Sequence, residues 1–158
     1  MKKPIIYWIR RDLRIHNNAA LKFAIDSNQP VIPVFIKDEF VDRLGAAPKW
    51  RLGLGLEHLT KEFKKYGTDI IFKSGSAEKV LTELINETEA NKVVWGRTYL
   101  PSVNNRDAKI KSLLKEKGLS VKSFPGHLLF EPWTVSPKSS EFFKVYTPFW
   151  KVARMKNP

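Results

Sequence analysis

The chain contains no cysteine. A disulfide framework, a thiolate metal centre and a cysteine nucleophile are therefore excluded. Histidine is scarce, and His16, His58 and His127 lie too far apart for zinc-site spacing. Acidic residues are few: 16 Asp plus Glu stand against 28 Lys plus Arg, a formal charge of +12. That imbalance favours an anionic partner such as nucleic acid or a phosphorylated cofactor. Long apolar runs are missing too. Met1-Lys2-Lys3 resembles a signal n-region, but Ile5-Ile6-Tyr7-Trp8-Ile9 stops at Arg10-Arg11-Asp12. The run is too short for a signal sequence or a membrane span, so a cytoplasmic domain with no membrane partner is expected. No 20–50-residue period recurs, which argues against a solenoid. What is present is 42% hydrophobic and 12% aromatic content over 158 residues. That is enough for the packed core of one domain and excludes disorder for most of the chain.

Short apolar runs alternate with amphipathic stretches. Residues 4–9, 31–36, 69–73, 92–95 and 119–124 read as strands. Pro33 lies inside the second, and proline there marks an edge or a bulge. Residues 18–28, 48–66, 76–88 and 103–117 read as helices. Leu52, Leu56, Leu59 and Phe63 recur at helical spacing, Ser76 is suited to an N-cap, and Gly118 to a C-terminal cap. The order is βαβαβαβαβ, with strands apolar throughout rather than alternating. This pattern predicts an α/β fold: a doubly wound five-stranded parallel sheet with helices on both faces. Ligands of such sheets sit beyond the carboxyl ends of the strands. Residues 10–14, 37–40, 74–75, 97–101 and 125–127 fall there. Beyond residue 125 the chain is proline-rich, shows no clear helix and reads as an extended C-terminal tail. The boundaries are 1–125 for the core and 126–158 for the tail.

Motifs for common chemistries fail. Gly53-Leu54-Gly55 lies inside a predicted helix with no strand before it, so it reads as small residues at a close helix–sheet contact. There is no P-loop and no nucleophile elbow. Gly75, between strand and helix, suits a plain turn or a backbone phosphate cradle. Arg10, Arg11 and Arg14 either grip an anionic ligand or pair internally, with Asp12 bridging one of them and the rest solvated. The lysines at 61, 64 and 65, and at 109, 111, 115 and 117, read as solvated helix faces. Phe142, Phe143, Tyr146, Phe149 and Trp150 crowd the tail, either to dock onto something or to pack onto the domain's outer helices.

One family carries several of these segments in order. Residues 8–21, WIRRDLRIHNNAAL, resemble the opening signature of the DNA photolyase/cryptochrome family, departing at Asn17 where the family has Asp. Residues 31–37 followed by Asp38 resemble its second strand; Trp50-Arg51 with Leu56 and Leu59 resemble a helix motif. Tyr99-x-Pro101 with Arg106-Asp107 resembles Y-x-P-x-x-x-x-R-D, and residues 143–151 resemble the motif near the end of the family's first domain. The resemblance implies a Rossmann-like N-terminal domain that holds an antenna chromophore. It further implies a second, helical domain with the catalytic FAD and the pyrimidine-dimer pocket, expected outside this chain. The partners implied are that helical domain and, through the whole enzyme, damaged DNA; a monomer is expected. Folate-binding members carry an Asn-Glu pair where this chain has Ser102 and Val103. A deazaflavin or flavin is therefore favoured over methenyltetrahydrofolate.

The cofactor-binding residues expected are Arg10, Lys37, Asp38, Arg51, Arg97 and Tyr99. The four cations would meet phosphate or polar tail groups, Asp38 a ring N–H, and Tyr99 the ring itself. Arg10, Arg51 and Tyr99 lie in matching motifs; Lys37 and Arg97 follow from their place at strand ends. No metal ligand and no catalytic residue is expected in this domain. Two other readings stay open. One is a cryptochrome-type photoreceptor domain. The other is a stand-alone nucleotide-binding α/β domain, which the missing glycine fingerprint disfavours.

Overall fold

The computed structural model describes residues 2–137 and 142–156. The chain forms two compact units, Met1–Gly126 and His127–Pro158. The first holds five strands: β1 (Ile5–Ile9), β2 (Val31–Lys37), β3 (Ile71–Ser74), β4 (Lys92–Gly96) and β5 (Ser120–Phe124). All neighbours pair in parallel, in the order β3-β2-β1-β4-β5. The predicted doubly wound α/β sheet is therefore the observed one. Chain direction across the sheet reverses between β1 and β4, which makes that gap the switch point.

Strand β1 is central and buried at every position, because helices cover both faces. Ile5, Tyr7 and Ile9 point toward α1 (Ala19–Asp26) and, across the sheet's upper part, toward Leu56, Leu59 and Phe63 of the long helix Ala46–Lys65. Ile6 and Trp8 point the other way, among Val80, Leu81 and Leu84 of Ala77–Thr88 and Ile110 and Leu114 of Pro101–Glu116. The two-residue period of the strand thus feeds two separate cores. Trp8 and Trp95 meet edge to face at 5.5 Å in the second. In chain order the helices after α1 are α2 (Glu39–Asp42), α3 (Ala46–Lys65), α4 (Ala77–Thr88) and α5 (Pro101–Glu116).

Local signals place most boundaries. Asn18 caps α1, its Oδ1 accepting from Leu21 N at 3.0 Å, while its Nδ2 donates to the Tyr7 hydroxyl at 2.6 Å. Pro101 opens α5, and Gly118 follows it at φ +82°, a conformation suited to glycine. Ser76 stands at the N-cap of α4, but its side chain makes no cap hydrogen bond. Gly75 is a plain turn residue at φ +129°, with its N–H donating to Lys37 O at 3.0 Å.

Three expectations need correction. Pro33 lies in an interior strand, opposite Tyr7 of β1. The sheet tolerates it because β3 pairs only from Val34 onward, so β2 is flanked on one side at that point. The paired glycines of α3 do not form a helix–sheet contact. A Cβ on Gly55 would lie 2.6 Å from Leu13 Cδ1 in the loop after β1, and one on Gly53 would meet nothing within 4 Å. The predicted tail is not wholly extended. It contains a 3-10 turn at Pro132–Thr134 and a helix, α6 (Tyr146–Ala153). Pro148 falls in the first turn of α6, where a missing N–H costs nothing. Phe143, Tyr146, Phe149 and Trp150 pack on one another there, with Tyr146 and Trp150 stacked at 6.3 Å. Residues 138–141 and 157–158 of the tail lie outside the described residues.

Burial, reinforced by the negative charge of Asp12, pushes the Tyr7 phenol well above its ordinary value of 10.0. The unfolded chain therefore ionises at Tyr7 before the folded chain does. That stabilisation is complete below about pH 10 and is lost as pH rises beyond it. Denaturant titrations above pH 10 should show unfolding free energy falling more steeply in the wild type than in Tyr7→Phe.

Candidate functional site

A cleft of about 540 Å³ opens beyond the carboxyl ends of β1 and β2. Its size suits a small organic ligand. Ile9, Phe35 and Ile36 form the floor. One wall is α2, a single helical turn that presents Phe40 and Val41. The opposite wall is α3. Pro48, Arg51, Leu52, Gly55 and His58 recur there three or four residues apart and so share one face. The absent Cβ of Gly55 lets Leu13 close the cleft from the β1 side. The polar lining is mostly cationic or basic: Arg10, Arg11, Arg51 and His58, with Asp38 the one acid among the lining residues.

Behind the Asp38 side of this cleft runs a chain of ion pairs. Arg10 leaves the end of β1 on the α5 side of the sheet. Its Nη1 donates to Asp107 Oδ2 at 2.7 Å, and its Nη2 to Thr98 Oγ1 at 3.5 Å. Arg106 donates from Nη2 and Nε to Asp107 Oδ1 at 2.9 and 3.2 Å. Its Nη1 donates to Asp38 Oδ2 at 2.6 Å and to Glu39 Oε1 at 3.2 Å. Asp38 Oδ1 in turn accepts from Phe40 N and Val41 N at 3.1 Å each, capping α2. The Arg10 guanidinium lies 4.0 Å over the Trp8 ring and that of Arg106 5.6 Å from it. Burial lowers the Arg10 pKa from its ordinary value, partly offset by Asp107. Burial acts the same way on Arg106, but Asp107 and Asp38 outweigh it and the net shift is upward.

The expected site residues divide into two groups. Arg10, Asp38 and Arg51 all line the cleft, although Arg10 and Asp38 also hold the ion pairs just described. Lys37 lies on the far side of β2, lining a shallower groove toward β3, with Nζ 3.1 Å from Asp42. Arg97 and Tyr99 follow β4 and are not part of the cleft lining. They hold the chain after β5 instead: Arg97 N donates to Phe124 O at 2.9 Å and Gly126 N to the Tyr99 hydroxyl at 3.4 Å. Gly126 passes so close that a Cβ on it would lie 2.3 Å from Arg97 O. The internal partner of Arg10 is Asp107, not Asp12, whose carboxylate instead occupies the space a Cβ on Gly96 would need. Arg11, expected only as one of the arginine cluster after β1, also lines the cleft, and so does His58, for which the 51–55–58 spacing on α3 is the signal. Among the described residues no cluster of side chains is arranged to hold a metal ion, and no helix is long and apolar enough to cross a membrane.

Comparison with known proteins decides the family. The DNA photolyase family model matches residues 5–157. The chain belongs to the DNA photolyase family. It is 43% identical over 148 residues to the deoxyribodipyrimidine photo-lyase of Agrobacterium fabrum, covering 94% of this chain and 31% of that protein. It is 36% identical over 155 residues to Cryptochrome-2 of Arabidopsis thaliana, covering 96% of this chain and 25% of the other. The crystal structure of a class III photolyase from Agrobacterium tumefaciens superposes with a TM-score of 0.94 at 40% identity, over 99% of this chain and 33% of that one. An archaeal photolyase from Sulfolobus tokodaii, described with two FAD molecules, gives 0.78 at 29% identity over 98% of this chain and 36% of that one. The chain thus spans a third or less of the curated relatives named here. In this photolyase-family domain the Arg106-Asp107 pair of the Y-x-P-x-x-x-x-R-D motif meets Arg10 of the opening motif.

Removing Asp107 leaves Arg10 buried without its counter-charge, so Asp107→Ala should cost about 3–5 kcal/mol in denaturant unfolding. Breaking the exposed Lys22–Asp26 pair with Lys22→Ala should cost less than about 1 kcal/mol.

Proposed function

We propose that this domain is the light-harvesting, chromophore-binding N-terminal domain of a deoxyribodipyrimidine photolyase. The observation that carries the reading is the cleft beside β1, β2 and α3: an apolar slot with a cationic rim, at the strand ends of a domain of this family. Its residues fit a flat aromatic chromophore with an anionic tail. Phe35, Phe40, Val41 and Leu52 provide apolar surface for the ring and exclude water from it. Arg11 and Arg51, both exposed, provide charge-assisted donors for phosphate or carboxylate, and His58 adds a ring N–H donor. Asp38 supplies the acceptor for a ring N–H, and Arg10 supports that wall from behind. Lys37, Arg97 and Tyr99 do not line this cleft. An antenna chromophore, when bound, absorbs light and passes the excitation to the FAD of the helical domain that the family resemblance implies.

A deazaflavin or flavin suits the cleft better than methenyltetrahydrofolate. The first turn of α5, where folate-binding relatives place their Asn-Glu pair, carries no acidic residue here. The two-FAD description of the Sulfolobus tokodaii photolyase supports a flavin at such a site. Titration with a deazaflavin, FMN and methenyltetrahydrofolate tests this. A shifted near-UV or blue absorption band is expected with the first or second, and Arg51→Ala should weaken that binding by roughly tenfold. No band with any of the three would refute the reading.

The 36% identity to Cryptochrome-2 supports a second reading, a photoreceptor domain without repair. A blue-light assay on thymine-dimer DNA separates the two, using the longest protein that carries this domain with its helical partner. Repair is expected for the photolyase and none for the photoreceptor. The dimer has to leave the base stack for that chemistry.

A further inference from the structure

We propose that Arg106, which lies outside the cleft lining, is a positioning residue for the chromophore site: it holds Asp38 and, through Asp38, the α2 wall. The inference rests on the cleft being that site.

Helix α2 is only four residues long and buries none of them. A single turn has too few internal hydrogen bonds to persist by itself. It must be held from outside. Val41 packs against the core on the α3 face, and at the C-terminal end of α2 Lys49 Nζ donates to Asp42 O at 2.8 Å and Lys37 pairs with Asp42 at 3.1 Å. Both lysine contacts are exposed, and exposed pairs of flexible lysines contribute little. At its N-terminal end the anchor is Asp38, 5% exposed at its side chain. One carboxylate oxygen takes the two free N–H groups of Phe40 and Val41, and the other takes Arg106.

Arg106 is itself immobilised. Two of its nitrogens grip Asp107, which Arg10 holds from the end of β1. Position is thus relayed from the central strand, through a rigid planar guanidinium, to the short helix that carries Phe40 and Val41 into the cleft. Without Arg106, Asp38 keeps its charge in a buried place and turns toward water. The cap then loosens and the apolar wall leaves the ligand.

Hydrogen exchange and ligand titration on the full chain test this together. In Arg106→Ala the amides of Phe40 and Val41 should exchange roughly tenfold faster while those of β1 and β4 do not change. Flavin affinity should fall by a similar factor. Arg106→Lys should lie between the two proteins, since an ammonium can meet Asp38 but cannot fork onto Asp107 as well. Glu39→Gln, which alters only the exposed contact, should change neither readout. Unchanged exchange in α2 overturns the proposal, as does acceleration spread evenly over the sheet. Faster α2 exchange with unaltered flavin affinity overturns it as well. Should Arg106→Ala not fold by circular dichroism, Arg106→Lys decides by the same readouts. If the wild type binds no chromophore, the functional reading fails, and the exchange data alone still judge whether Arg106 holds α2.

Discussion

Two arginines and two aspartates meet where the sheet reverses its order, and the arrangement of the upper half of the domain depends on their pairing. Arg10 comes from the end of β1, Asp38 from the end of β2, and Arg106 with Asp107 from the second turn of α5. The four residues sit on three connections, so the charges tie those connections to one another. A buried ion pair is weak evidence for stability, because desolvation offsets most of the attraction. Its geometry is nevertheless demanding: a carboxylate displaced from its guanidinium leaves two buried charges uncompensated. The network therefore selects one relative placement of three loops. Trp8 lies beneath both guanidinium groups and closes the network from water on the sheet side.

This constraint also decides where a ligand can go. The space above the carboxyl ends of β1 and β2 has two sides, because strand residues alternate between faces. On the α5 side it is filled by the ion pairs. On the α3 side Ile9 and Phe35 leave an apolar floor, and Gly55 allows the loop after β1 to approach the helix without filling the space. The open volume is consequently beside β2 and α3. Its one acid, Asp38, is already paired with Arg106, so the net positive field in the cleft comes from Arg11 and Arg51. Part of the chain's excess positive charge is thus gathered at this cleft.

The strand ends were legible in the sequence, but the neighbours that meet there were not. Arg10, Asp38 and Arg51 reach the cleft, whereas Lys37 lines the next groove toward β3 and Arg97 and Tyr99 lie outside the cleft lining. Lys37 shares the α3 face with Phe35 but sits on the β3 side of it, and a loop residue has no periodicity to place it. Helix α2 escaped notice because four residues are too few to show a 3.6-residue pattern. Helix α6 was masked by Pro148 and the proline-rich sequence before it, although its aromatics at 146, 149 and 150 recur at helical spacing. Pro33 misled in the opposite direction: the rule that proline avoids interior strands is local, and β2 is interior only beyond the point where β3 begins.

The sequence by itself determined the parallel α/β architecture, since continuous apolar strands alternating with amphipathic helices have few other ways to bury both faces. It also carried the family, through motifs spread from residue 8 to residue 151. Tertiary structure alone decided that Arg10 answers Asp107 rather than Asp12, residues 97 positions apart in the chain. It alone decided that Arg106 stands behind Asp38 and that the cleft opens toward α3. Periodicity reports which residues are buried, but the partner of a buried charge depends on which loops the sheet order brings together.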